Sequence, residues 1–143
     1  MTTQPPAPRP CESCPYRQDV PSGIWAASEY AKLPTYDEPT FAQPARLFLC
    51  HQHDRDDGRA RVCSGWAGCY DGAHLLALRV AVSSGEITAQ TADAIRDYRS
   101  PAPLFASGAE AAVHGMREIR SPGREARTAI GKISRNRADL TEG

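Results

Sequence analysis

The chain has 143 residues, a formal net charge of zero and 41% hydrophobic residues. This suits one domain with a buried core and excludes a global electrostatic attraction to nucleic acid or to anionic membranes. Its apolar runs are too short to span a bilayer, and the opening residues Met1 to Pro6 lack the basic start and apolar core of a signal peptide. We therefore expect a cytoplasmic protein without membrane contact, whose five cysteines, an odd number, stay reduced.

Shifts in composition divide the chain. Residues 1–10 contain four of the 12 prolines and no pattern that could pack, so we predict a disordered, proline-rich arm. Residues 11–143 are predicted to form a single α-rich, metal-binding domain. Its cysteine-rich part covers 11–70 and holds all five cysteines, and its helical part covers 71–138.

The cysteine-rich part begins with a loop that carries Cys11 and Cys14. Ser22 has the chemistry of a helix N-cap, so we predict a helix from there to Leu33. Pro34 would end it, since proline cannot continue a helix.

A turn-rich stretch follows, in which Thr40 and Gln43 would cap one short helical turn. The apolar run 47–49 is either a short strand or the end of that helix, because periodicity cannot separate the two over three residues. Residues 51–62 are polar and are predicted to be a solvent loop between two cysteines.

The helical part is predicted to contain most of the regular structure. Ser107-Gly108-Ala109-Glu110 is a capping box and the clearest helix start in the chain, and Ser121-Pro122 is typical of another. The predicted helices run from Asp71 to about Ser83, from Thr88 to Tyr98, from Ser107 to Ile119, and from Ser121 through Ile133. The expected fold class is mainly α: a small domain of four to five helices with an N-terminal, loop-rich cysteine site.

The cysteine spacing predicts a metal site. A CxxC pair such as Cys11 and Cys14 can turn two thiolates toward one ion, and Cys50 and Cys63 offer a second pair across a 12-residue loop. Cys69, His51 and His74 are reserve ligands. Four cysteines suit structural Zn²⁺ and equally a [4Fe–4S] cluster with a redox or sensing role, so both cofactors stay open.

Two other interpretations compete with metal binding. Buried cysteines also behave as small hydrophobic residues, and a reactive thiol would indicate catalysis. Adjacent residues such as Cys50 and His51 do not face one another on regular structure, and no Ser-His-Asp order, phosphate loop or HExxH is present. The sequence therefore favours a protein that is not an enzyme, and we assign no catalytic residue. An enzyme with a reactive cysteine, such as Cys69 with His74 as its base, stays open as the alternative.

Residues 117–137 are basic, with six arginines and Lys132 against two glutamates. Such a helix suits a nucleic-acid-binding regulator, although a charged helix is often only solvated. The candidate contacts are Arg117, Arg120, Arg124, Arg127, Lys132 and Arg135. The partner, nucleic acid or a host protein, stays open.

Several strings resemble a family of actinobacteriophage and actinobacterial proteins described as a domain of unknown function. They are Cys11-Glu-Ser-Cys14-Pro15-Tyr16-Arg17, Phe48-Leu-Cys50-His51-Gln52, Cys63-Ser-Gly65-Trp66 and Tyr98-Arg-Ser100-Pro101. The resemblance covers nearly the whole chain and implies that Cys11, Cys14, Cys50 and Cys63 are the shared positions, with Cys69 belonging to longer members. Tyr70 stands where long members often carry histidine. The resemblance implies a phage-type setting, with the host cytoplasm as location, and supplies no activity.

Overall fold

The structure, a computed structural model, describes residues 2–50 and 60–134. In this part of the chain six α-helices form: α1 (Ala27–Lys32), α2 (Ser64–Cys69), α3 (Leu76–Ser84), α4 (Ala89–Asp97), α5 (Gly108–Met116) and α6 (Arg124–Ser134). Three short 3-10 helices cover Leu33–Asp37, Thr40–Ala42 and Gly72–His74. The described residues contain no β-strand beyond isolated bridges. The prediction of a small, mainly α domain is confirmed, with six helices where four to five were expected.

Local capping chemistry explains where three of the helices begin or end. The Thr88 Oγ1 accepts the Thr91 amide at 3.0 Å at the start of α4, and the Ser107 Oγ accepts the Glu110 amide at 3.2 Å at the start of α5, both as predicted. Gly85, with φ of +82°, ends α3 in the left-handed conformation that favours glycine.

Other boundaries differ from the sequence predictions. Ser22 does not cap α1, because the next residue, Gly23, has φ of +82°, a conformation outside the helical region. The Ser22 hydroxyl donates a hydrogen bond to the Glu118 carboxylate instead. Asp71 caps the 3-10 turn Gly72–His74 rather than α3.

The last helix, α6, begins at Arg124, three residues after the predicted cap Ser121. The end of the predicted helical part, residues 135–138, lies outside the described residues, as does most of the predicted solvent loop 51–62.

The proline-rich segment lies against the domain instead of forming a disordered arm. The Gln4 amide donates to Ala60 O and its carbonyl accepts the Val62 amide, both at 3.0 Å. Ser64 and Tyr98 donate side-chain hydrogen bonds to the carbonyls of Ala7 and Pro8. A proline has no backbone N–H but keeps a carbonyl that can accept a hydrogen bond. The segment is therefore held largely through its carbonyls, which its composition alone does not reveal.

The core lies between the cysteine-rich loops and the helices. Trp66 and Tyr16 are fully buried, and Tyr36 makes edge contacts with the rings of Trp66 and Phe48 at centroid distances of 5.5 and 6.0 Å. Leucines and an isoleucine from the surrounding elements complete it: Leu33, Leu47, Leu75, Leu78 and Ile95. Among the described residues no helix is long and apolar enough to cross a membrane.

Helices α1 and α5 approach closely at Gly115. A Cβ at this position would collide with the Tyr30 ring, and the Tyr30 hydroxyl accepts the amides of Ile24 and Trp25 at 3.2 Å. Glycine at this point of α5 therefore lets Tyr30 fix the loop that precedes α1.

Replacing Gly115 by alanine tests this packing. The new methyl group would lie 2.6 Å from Cζ of Tyr30, and overpacking of this kind costs about 1–3 kcal/mol. We expect the free energy of unfolding in urea to fall by that amount. Gly123→Ala is the control, since a Cβ there meets nothing within 4 Å and its effect should stay within about 0.5 kcal/mol. Equal stability of both variants would contradict the contact.

Candidate metal centre

The loop that carries the CxxC pair is fixed by backbone hydrogen bonds. The Cys14 amide donates to Cys11 O and the Arg17 amide donates to Cys14 O, each at 3.1 Å. The Trp25 indole donates to Ser13 O at 2.9 Å, and Trp25 is only 2% exposed. The two cysteines thus lie on a tight turn anchored to the core.

Cys50 and Cys63 are brought together by a short antiparallel pairing. Leu49 and Val62 form an isolated bridge, the Cys50 amide donates to Arg61 O at 2.8 Å, and the Cys63 amide donates to Phe48 O at 2.9 Å. The apolar run 47–49 is therefore extended, and Cys63 is the N-cap residue of α2. Helix α2 was absent from the sequence predictions.

The two pairs meet where Cys14 contacts Cys63, with the two Sγ atoms 3.8 Å apart. The pKa of Cys11 is lowered because its thiolate accepts hydrogen bonds from Cys14 and Cys50. The pKa of Cys14 is raised by its hydrogen bonds to Cys11 and Cys63 and by burial. Pairwise contacts therefore link the four cysteines that the sequence selected, from Cys50 through Cys11 and Cys14 to Cys63. None of the five cysteines forms a disulfide.

Gly65 makes the contact between α2 and the CxxC loop possible. A Cβ on this residue would collide with the Cys14 Sγ and lie 2.8 Å from Cβ of Tyr16. The sequence motif contains Gly65 but does not indicate its role, because the need for glycine arises from a segment about 50 residues away in sequence.

Arg17 is a second residue that sequence reasoning did not place at the site. Its side chain is 15% exposed and pairs with Asp19 through two hydrogen bonds of 2.8 Å. Its remaining Nη1 donates to the carbonyls of Pro10 and Cys11. The Asp19 hydrogen bond raises the pKa of Arg17, and the charges of Cys14 and Cys11 raise it further. The Arg17 guanidinium thus binds the backbone at the start of the CxxC loop and places a positive charge beside the thiols.

The reserve ligands lie elsewhere or outside the described residues. The Cys69 thiol donates to Phe105 O at 3.5 Å, and burial is the main cause that raises its pKa to about 12. His74 is exposed and bonds to Asp71 at 3.0 Å. His51 lies outside the described residues.

A metal ion needs several donor side chains that converge on one point. In residues 2–50 and 60–134, no group of three or more Cys, His, Asp or Glu side chains has the arrangement of a metal site. The chemistry of the neighbouring groups nevertheless fits a soft metal, since thiolates are the ligands that Zn²⁺ and iron–sulfur clusters share. The indole Nε1 of Trp66 is buried, and no described residue forms a hydrogen bond with it.

The candidate basic residues lie on the surface of the protein. Arg117, Arg120, Arg124, Arg127 and Lys132 are all exposed, and Lys132 lies 4.0 Å from Glu12 beside the CxxC loop. Arg135 lies outside the described residues.

Comparison with known proteins places the chain in a family. The model of a family described as "Family of unknown function (DUF6283)" matches residues 6–137, and the chain belongs to this family. No curated protein and no solved structure matches the chain.

The environment of Cys69 predicts an unreactive thiol. With a pKa of about 12, only about one molecule in ten thousand carries the thiolate at pH 8. We expect iodoacetamide to label Cys69 in the folded protein far more slowly than a simple alkyl thiol, as measured by peptide mass spectrometry. The protein unfolded in urea is the control and should label at the ordinary rate. Rapid labelling in the folded state would contradict this environment and would indicate a reactive thiol.

Proposed function

We propose that this member of the family is a metal-binding protein in which Cys11, Cys14, Cys50 and Cys63 hold one structural Zn²⁺. The observation that carries the proposal is the 3.8 Å between the Sγ atoms of Cys14 and Cys63. In a tetrahedral Zn(Cys)₄ site with Zn–S bonds of about 2.3 Å, adjacent sulfurs are about 3.8 Å apart. The contact between these two segments therefore has the spacing that a shared zinc ion requires.

The ion would stabilise the fold by joining three segments: the CxxC loop, the end of the extended run at Cys50 and the start of α2 at Cys63. Structural zinc sites have four protein ligands and no open coordination position, so they support folding rather than catalysis. We therefore propose that the site has a structural role and takes no part in a reaction.

A [4Fe–4S] cluster is the alternative occupant of the same cysteines. In such a cluster each thiolate binds a different iron, so the sulfurs must stand further apart than around a single ion. The 3.8 Å contact therefore favours zinc. Anaerobic purification distinguishes the two, because a cluster gives a brown protein and zinc a colourless one.

The proposed setting is the cytoplasm of an actinobacterium or of the host of an actinobacteriophage. The cysteine motifs support it through their resemblance to proteins from those sources. Reduced thiols also suit a reducing compartment, where metal ligation competes with disulfide formation.

Replacing Cys11 by serine tests the ligand set. We expect bound zinc, measured by elemental analysis, to fall from one equivalent to near zero. Apparent binding energies of structural zinc are roughly 10–16 kcal/mol, so the cooperative unfolding transition should be lost as well.

Cys69→Ser is the matched control, because Cys69 bonds to Phe105 O and lies outside the proposed ligand set. This variant should keep one equivalent of zinc and a cooperative transition. Full metal content in Cys11→Ser, or metal loss in Cys69→Ser, would show that the ligand set is wrong.

Gly65→Ala tests the approach of α2 to the CxxC loop. The methyl group would displace the Cys14 Sγ, so we expect weaker zinc retention against a chelator, by at least about tenfold if 1.4 kcal/mol or more of the strain falls on the bound state. Gly68→Ala in the same helix crowds only the flexible end of Leu104 and the Tyr98 ring, and should retain zinc. Equal retention in the two variants would rule out a role of Gly65 at the site.

A further inference from the structure

The outward face of α6 carries two arginines, a threonine and a glycine. Arg124, Arg127, Thr128 and Gly131 follow the i, i+3, i+4, i+7 spacing of one helix face, and all four are exposed. The opposite side packs into the domain through Ala126 and Ile133, which are 0% and 2% exposed. We call these four outward residues the basic face of α6.

In residues 2–50 and 60–134, the two arginines of this face have no acidic partner. Within the described residues, neither Arg124 nor Arg127 has a carboxylate oxygen within 4.0 Å, whereas Lys132 on the flank of the helix approaches Glu12. The preceding turn adds exposed Arg117 and Arg120, which line a cleft of about 500 Å³ with Glu118 and Ser121. The guanidinium groups of the basic face are therefore available to an anionic partner.

Gly131 leaves space next to the two arginines on the basic face of α6. Glycine is among the poorest helix formers, yet this glycine lies inside α6 on its exposed side. Its φ is not positive, and a Cβ there would meet nothing within 4 Å. Gly131 therefore adds no side chain to the exposed side of α6, so the backbone of a partner molecule can come close to the helix at this position.

We propose that the basic face of α6 binds the phosphate backbone of double-stranded DNA without reading its sequence. Arg124 and Arg127 would neutralise phosphates, and Gly131 would let the backbone approach the helix. Single-strand binders stack bases on aromatic side chains, and α6 contains none. An amphipathic helix binds membranes through its apolar face, and that face of α6 is buried.

The test measures binding of the full-length protein to a fluorescent 20-base-pair duplex of random sequence over a series of salt concentrations. We expect the affinity of the unmodified protein to fall as the salt concentration rises. In Arg124→Gln/Arg127→Gln the plot of log K against log salt should become less steep by about two, because two phosphate contacts are lost. The control is Arg79→Gln/Arg96→Gln, which removes two exposed arginines from α3 and α4 and should leave the slope unchanged.

Gly131→Ala gives a signature that a purely structural role would not produce. Alanine should raise the thermal midpoint by about 2–4 °C through its helix propensity, while the added methyl group weakens duplex binding by at least threefold. No duplex binding at 50 mM salt, equal effects of the two double variants, or unchanged binding by Gly131→Ala would overturn the proposal. Tighter binding to single-stranded DNA, or to vesicles of anionic phospholipid, would overturn it in favour of those partners.

Discussion

The contact between the Sγ atoms of Cys14 and Cys63, at 3.8 Å, is the constraint on which the cysteine-rich half depends. It joins a loop near the N-terminus to the first turn of α2, and it requires glycine at position 65 because a side chain there would occupy the space of the Cys14 sulfur. Hydrogen bonds to the neighbouring thiols and burial raise the pKa of Cys14, so ionisation of this thiol is costly. A cation between them would remove that cost, which is the physical basis of the proposed zinc site.

The same contact is linked to the helical half through Tyr70, which follows α2. The Tyr70 hydroxyl accepts from Tyr16 at 3.4 Å and donates to Asp37 at 2.8 Å. The Asp37 carboxylate in turn accepts the amides of Gly108 and Ala109 at the start of α5, at 2.7 and 2.8 Å. A carboxylate at the start of a helix stabilises it, because the first amides of the helix have no partner within the helix and the N-terminal end of the helix dipole is positive. Ordering of α2 by a metal would therefore also favour the docking of α5.

Local chemistry determined which parts of the fold were predictable. The caps at Thr88 and Ser107 act within three residues, so the sequence alone indicated the start of α4 and α5. Helix α2 has six residues and two glycines, and its helical conformation depends on the packing of Trp66, so propensity did not indicate it. The ordered path of residues 2–10 depends on distant partners such as Glu86 and Ala60. At the site, spacing selected the cysteines, whereas the roles of Gly65 and Arg17 follow only from three-dimensional proximity.

The zinc site is tested most directly by X-ray absorption spectroscopy of the purified protein at the zinc edge. We expect four sulfur neighbours at about 2.3 Å, with no nitrogen or oxygen ligand and no neighbouring metal. Zinc bound through nitrogen or oxygen, a short metal–metal distance at the iron edge, or a protein that holds no metal at all would contradict it.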